Sequence, residues 1–432
     1  MPIPFPRSAG LLSALVVLAP LLAAAPAVVR VVADGQGRYE LTRDGHPFVI
    51  HGIGGVDHLE LARELGANTL RTWGADQLDQ KVGGRTLLER CQSLGIGVMA
   101  GIWIGHERHG FDYGDPAQLE RQRTMVRDVV RKYRDSPALL LWGLGNEMEG
   151  PVGGGRDVRI WDELNVLAKI VHDEDPNHPV VTVIAGAAPD KVRSLAAHYT
   201  AIDILGVNAY ASATGVGKAL KAAGWKKPFL LTEFGPSGSW EVGATSWGAP
   251  IEPSSREKAA AYYTTHTTVM EDGEGRCLGT FAFLWGHKQE TTSTWYGMFL
   301  ATGEKLPSVD AMSYAWTGRW PANRSPRIQK LEASFRQKEI APDTLVTVTA
   351  GAEDHENDRL TYEWQVVAES TDRKVGGDEE AAPPVLKDCI VHADGAHLQM
   401  RTPSRRGAYR VFCIVRDGKG GASADNFPFF VK

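Results

Sequence analysis

Apolar residues along this chain gather into eight short, strand-like runs, at 48–53, 68–73, 97–104, 139–145, 180–185, 202–210, 229–234 and 279–285. Runs of this length without polar alternation are the pattern of strands buried on both faces, as in a parallel sheet covered by helices. The stretches between them have helical spacing: HLELARELG, RTLLERCQSLG, AQLERQRTMVRDVVRKYRDSP, RIWDELNVLAKIVHDEDP, KVRSLAAHY, GVGKALKAAGW and REKAAAYYTTHTTVMED. Several are closed by Gly or Pro, where a helix stops. Eightfold alternation predicts an α/β fold, a (β/α)₈ TIM barrel. An open doubly wound sheet competes, because it alternates too. Polar and aromatic residues at several strand ends favour the barrel, where those ends converge on one mouth.

The flanks read differently. RVVADGQGRYELTRDGHPF alternates around Asp34-Gly35 and Asp44-Gly45, which predicts a β-hairpin ahead of the barrel, so the barrel domain is expected over 28–320. WPANRSP at 320–326 breaks the composition and reads as a linker, with 321–326 between the two domains. Beyond it, short alternating strands such as DTLVTVTAGA, RLTYEWQVV and AYRVFCIVRD predict an all-β, Ig-like sandwich at 327–432, with Trp364, Cys389 and Cys413 as core candidates. At the start, Arg7, an apolar stretch at 11–22 and AAAPA at 23–27 follow the order of a secretory signal. The stretch is short of the roughly 20 residues that span a bilayer. Pro26 disfavours a cut directly before it, so cleavage is expected after Ala27. The mature chain is then expected to be exported, periplasmic or secreted, with no membrane span. An oxidising compartment would allow Cys389 and Cys413 to pair. Cys91 and Cys277 read as small buried hydrophobes.

Charge narrows the function. With 47 Lys and Arg against 52 Asp and Glu, a net charge of −5 and no basic run of five, the chain lacks the footprint of a nucleic-acid binder. Oligomeric state is not legible.

The chemistry lies in two of the runs. LLLWGLGNE and FLLTEFG each deliver one carboxylate, Glu147 and Glu233, at or just after the carboxyl end of the fourth and seventh predicted strands, which face one another across a barrel mouth. Hydrolysis of a glycosidic bond with retention needs one carboxylic acid to protonate the leaving oxygen and one carboxylate to attack the anomeric carbon, about 5–5.5 Å apart. The pair fits that requirement.

Trp142-Gly143-Leu144-Gly145-Asn146-Glu147 together with Thr232-Glu233-Phe234-Gly235 resembles the retaining glycoside hydrolases of clan A, in particular the barrel domain of glycoside hydrolase family 2. The resemblance covers roughly residues 44–320. It implies that Glu147 is the acid/base and Glu233 the nucleophile, and that Arg71 in NTLRTW pairs with the nucleophile and holds it ionised. It further implies that Asn146 bonds the sugar 2-hydroxyl, that Tyr210 in ILGVNAY touches the nucleophile, and that Trp285 in TFAFLWG is the aromatic floor beneath the scissile sugar. Asn208 in the same ILGVNAY run, Trp73 and His106 are further candidate substrate contacts. The accessory domain follows the barrel, whereas family 2 barrels usually follow amino-terminal sandwich domains.

Other motifs carry less. His106-Glu107-Arg108-His109 is not HExxH, and its histidines read as sugar contacts rather than metal ligands. Gly52-Ile53-Gly54-Gly55 lacks the dinucleotide spacing, so no cofactor is expected. Asp354-His355-Glu356-Asn357-Asp358 offers calcium-type oxygens but reads better as a solvated turn. Trp73, Trp103, Trp240, Trp247 and Trp295 fall at strand ends or in the following loops, where rings stack on pyranose faces. The expected function is a retaining β-glycosidase. Its partner would be a β-linked glycan, cut in an open cleft by endo action on a β-glucan-like polymer or by transglycosylation. The rivals are an exo-acting galactosidase or glucosidase, and a non-catalytic carbohydrate-binding barrel. The sandwich, which has no strand-end carboxylate pair, is expected to support or localise the barrel.

Overall fold

The computed structural model describes residues 25–149, 157–374 and 377–432. The signal-like segment therefore lies almost wholly outside the described residues. Eight parallel strands close into a barrel: β1 (Ile50–Gly54), β2 (Thr69–Arg71), β3 (Gly97–Ile102), β4 (Leu139–Asn146), β5 (Val180–Ala185), β6 (Ile204–Asn208), β7 (Phe229–Phe234) and β8 (Cys277–Ala282). Each pairs with its chain neighbour, and β8 closes on β1 through Gly279 to Ala282 against Ile50 to Ile53. The closed ring rules out the open doubly wound sheet.

Helices α1 (Leu59–Glu64), α2 (Leu87–Leu94), α3 (Pro116–Tyr133), α4 (Val158–Glu174), α5 (Pro189–His198), α6 (Val216–Ala222), α7 (Ser255–Asp272) and α8 (Pro307–Thr317) lie between and after the strands. Their ends follow local chemistry. Thr86 and Ser254 make capping boxes with Glu89 and Glu257, Asp115 and Asp157 cap α3 and α4, and Gly95 and Gly318 end α2 and α8 at positive φ. In α4 the buried positions Ile160, Trp161, Leu164, Leu167, Ala168 and Val171 recur at helical spacing and make one stripe against the sheet. The eighth helix was not among the stretches expected from the sequence.

The hairpin Val29–Ala33 with Tyr39–Arg43 forms as expected. Val29 and Leu41 join Ile50, Met99, Leu141, Val183, Leu230 and Phe281 in one cluster at the barrel's interior, so the hairpin plugs the end opposite the mouth. No helix among the described residues is long and apolar enough to cross a membrane.

The C-terminal part is a sandwich of two four-stranded sheets, with strands Arg327–Glu332, Leu345–Glu353, His397–Arg401 and Ile390–Asp394 in one, and Glu339–Ile340, Ala422–Val431, Gly407–Arg416 and Thr361–Ala368 in the other. Trp364, Cys389 and Cys413 lie in its core, but the two cysteines are free buried thiols and form no disulfide. The segment expected as a linker is held down. The Ser325 N–H donates to Asp310 (2.6 Å) and its hydroxyl to the Lys305 carbonyl (3.0 Å).

Candidate active site

Irregularities at two strand ends aim the carboxylates. The β4–β5 register shifts between Val181 and Val183, a bulge that brings Asn146 opposite Val183. Gly145 (φ 77°) and Glu147 (φ 51°) both take the left-handed region, so the chain turns on either side of Asn146. The positive φ favours glycine at Gly145, and a Cβ there would also displace the end of the Met148 side chain. Left-handed backbone at a glutamate is strained and persists where the surroundings hold it; here the Glu147 N–H donates to the Val183 carbonyl (2.9 Å). A second shift, between β6 and β7, sets Asn208 opposite Glu233.

Glu233, 7 % exposed, is surrounded by donors. Its Oε1 accepts from Arg71 Nη1 (3.0 Å) and Trp73 Nε1 (2.9 Å), and its Oε2 from the Tyr210 hydroxyl (3.0 Å). Burial, and then the charge of Glu233, push the Tyr210 hydroxyl well above its ordinary range, so it remains a donor. Arg71 is itself buried, and it also reaches the Thr232 carbonyl, Asn208 Oδ1 and Asn146 Oδ1 (2.9, 3.3 and 2.6 Å). Its guanidinium lies 5.2 Å from the Trp73 ring.

Glu147 has a different setting. Its Oε1 accepts from Asn208 Nδ2 (2.8 Å), whose Oδ1 is fixed by the Thr232 hydroxyl (2.8 Å). Burial first and the negative charge of Glu233 second push its carboxyl up to about 7, against the pull of Asn208 and Arg71. Two carboxylates in one network thus have opposed surroundings. Asn146 Oδ1 is taken up by Arg71 and Asn208, which leaves its amide nitrogen as the remaining donor.

Arg71, Trp73, Asn146, Glu147, Asn208, Tyr210 and Glu233 therefore meet at one mouth. Two expected residues do not join them. Trp285 is fully buried behind the barrel wall, packed on Phe299 (5.2 Å) and Trp316 (6.2 Å), so it is core and not an aromatic floor. The ring beside the carboxylates is Phe283, two positions earlier, 5.8 Å from Trp73 and 6.2 Å from Tyr210. The carboxyl end of β8 comes at Ala282, earlier than the apolar run implies. His106 is only 2 % exposed and stacks on Trp103 (4.7 Å); burial and the neighbouring Arg108 push its ring down to about 4. It is a neutral packing group, not an open sugar contact. Of the remaining tryptophans, Trp240 is exposed and its ring meets Tyr210 edge-on (6.1 Å), whereas Trp295 is core and Trp247 packs on Phe430 of the sandwich.

The sequence reading missed the sandwich's part at the mouth. Asp378 lies within 3.6 Å of Arg108 and 3.9 Å of His109 in the loop after β3, and the Gly377 carbonyl accepts from Lys288 (2.7 Å) in the loop after β8. Buried Glu380 accepts from the Thr291 N–H (2.6 Å). Contacts between residues 89 to 270 positions apart leave no local signal. At 354–358 the Asp354 carboxylate accepts from the backbone of Glu356 and Asp358, a turn closed on itself. No group of three or more His, Cys, Asp or Glu among the described residues is placed to hold a metal ion.

No protein-family model matches the chain, and no curated protein resembles it in sequence. Solved structures resemble it in fold. A Bacteroides uniformis β-glucuronidase aligns at TM-score 0.51 and 14 % identity over 94 % of this chain and 48 % of its own. A Bifidobacterium dentium β-glucuronidase, solved with coumarin-3-O-glucuronide, aligns at 0.51 and 17 % over 68 % and 49 %. A proposed β-galactosidase of Bacteroides fragilis aligns at 0.50 and 15 % over 93 % and 57 %. The chain spans about half the length of these proteins, and at such identities the likeness is one of fold.

Proposed function

We propose that this protein is a retaining β-glycosidase acting on β-linked glycans, with Glu233 as nucleophile and Glu147 as acid/base. The observation that carries this reading is the asymmetric carboxylate pair. Glu233 is held by three donors that suit a carboxylate, and Glu147 sits where burial and a like charge favour its proton. In the first step a Glu233 oxygen attacks the anomeric carbon while Glu147 gives its proton to the leaving oxygen. The glycosidic C–O bond breaks and a glycosyl ester forms on Glu233. Glu147, now ionised, takes a proton from a water that attacks the same carbon and frees Glu233; two inversions give net retention. Asn146 is placed to donate to a sugar hydroxyl, and Phe283 offers an apolar face to the ring. The fold likeness to β-glucuronidases and a proposed β-galactosidase supports the reaction class.

Exo action is the second reading, and one observation favours it over the open cleft expected from the sequence. Gly377 and Asp378 of the sandwich bridge the loops after β3 and β8, which walls one side of the mouth. For localisation we infer export with cleavage after Ala27. The first hairpin strand begins at Val29, so such a cut leaves the hairpin whole. Amino-terminal sequencing of protein recovered from periplasm and medium tests this. Purified protein assayed on β-linked glucans, mannans, galactans and aryl β-glycosides tests the activity. Release of reducing sugar that disappears in Glu233→Gln is the expected result, and no turnover on any β-glycoside would sink the reading.

A further inference from the structure

We propose that the barrel and the sandwich together form a second sugar subsite beside the carboxylate pair, so that the preferred substrate carries at least two linked pyranose units. This rests on the glycosidase reading for its substrate class, but the site itself stands on separate features. A cavity of about 490 Å³ opens between the loop after β7, the loop after β8 and the sandwich, within the range usual for sites that hold small ligands. Its walls include Trp240 and Glu290 from the barrel and Glu369, Arg373, Lys374 and Glu380 from the sandwich.

Trp240 is the most exposed large apolar side chain among the described residues, at 68 %. Its ring meets Tyr210 at 88°, and the exposed indole surface that remains can lie against the C–H face of a pyranose. Tyr210 in turn bonds Glu233, so a sugar on Trp240 is the neighbour of one held at the carboxylates. The opposite wall mixes signs. Arg373 lies 3.8 Å from Glu369, and Lys374 pairs with Asp372 (2.7 Å). Interleaved donors and acceptors of both charges suit the hydroxyls of an uncharged sugar better than an anionic group. This wall is also fixed in place. Glu380 accepts from the Lys374 N–H on its own side (3.1 Å) and from the Thr291 N–H of the barrel (2.6 Å), so the two domains share one buried carboxylate.

Calorimetry on the full chain carrying Glu147→Gln tests the subsite. The probes are the β-linked tetrasaccharides cellotetraose, laminaritetraose, mannotetraose and β-1,4-galactotetraose, each compared with its monosaccharide. At least one tetrasaccharide should bind more tightly than its monosaccharide, and Trp240→Ala should cut that affinity about tenfold. The double variant Arg373→Ala/Lys374→Ala should weaken it as well, and since all three side chains are exposed these changes leave the fold intact. Failure of every tetrasaccharide to outbind its monosaccharide, or binding indifferent to both variants, overturns the proposal. Trp240-dependent binding in a protein that turns over no β-glycoside would uphold the subsite and reject the hydrolase reading, so the two fail separately.

Discussion

Glu147 owes its position to a residue pattern that is hard to satisfy by accident: left-handed backbone, an amide tied to β5, and a carboxyl opposed by burial and by Glu233. A group whose folded pKa is raised to about 7 is protonated below that value, and leaving-group protonation needs the acid form. Turnover of substrates with poor leaving groups should therefore fall as pH rises through about 7, and a pH profile on an alkyl glycoside checks this. Stability has the same sign. The unfolded chain loses this proton near the ordinary carboxyl value, so between there and about 7 the folded state binds more protons and becomes less stable as pH rises. Glu147→Gln should consequently melt higher than the parent at pH 8 and close to it at pH 5. The partner residue has its own signature. Glu233→Ala should lose several orders of magnitude in rate and be rescued by azide with formation of an α-glycosyl azide, whereas Glu147→Ala with azide should give the β-product. Swapped anomers would exchange the two roles.

At the scale of elements, the barrel strands were legible because both of their faces are buried, which leaves short, mostly apolar runs without regular polar alternation. Glu147 and Glu233 were legible because each stands at or just after the end of such a run, whereas Arg71 and Tyr210 were picked out by the family resemblance. Helix α8 was not. Buried residues cover most of Pro307–Thr317, including Ser308, Asp310 and Ser313, so it shows no polar face to set the helical period. The β8 end misled for a related reason: TFAFLWG is apolar throughout and does not say where the strand stops. Phe283 faces the carboxylates and Trp285 the helices. Phe283→Ala should therefore reduce kcat/KM by about tenfold or more, and it should also lower Tm, because Phe283 packs on Trp295 and Tyr296. Trp285→Ala should cost about 3–5 kcal/mol of stability, the range for emptying a large aromatic site in a core, with little change in kcat/KM of the folded protein. Kinetics and melting on both variants check the exchange, and the opposite pattern would restore Trp285 to the mouth.

Across the whole molecule, the two domains are joined by more than a linker. Leu300 and Leu306 of the barrel side pack with Ile414, Ala422 and Ala424 of the sandwich. Buried Arg410 donates to Glu369 (2.8 Å) and to the Pro250 carbonyl (2.8 Å), and Asn426 donates to buried Glu252 (2.7 Å), which pairs with Lys258. Arg410→Met removes the close buried partner of Glu369, leaving it only the half-exposed Arg373 at 3.8 Å, and should destabilise by about 3 kcal/mol. Truncation after Pro321 exposes the same groups on the barrel and should give a product that melts well below the full chain. A truncated barrel as stable as the parent would show that this interface contributes little. The central claim concerns the reaction as a whole, a double displacement at the barrel mouth. Proton NMR of an aryl β-glycoside during its first turnovers reads it most directly, because the anomer forms before mutarotation scrambles it. The account predicts the β-hemiacetal as the first product; an α-hemiacetal would mean single displacement by water and would contradict the assignment of Glu233 as nucleophile.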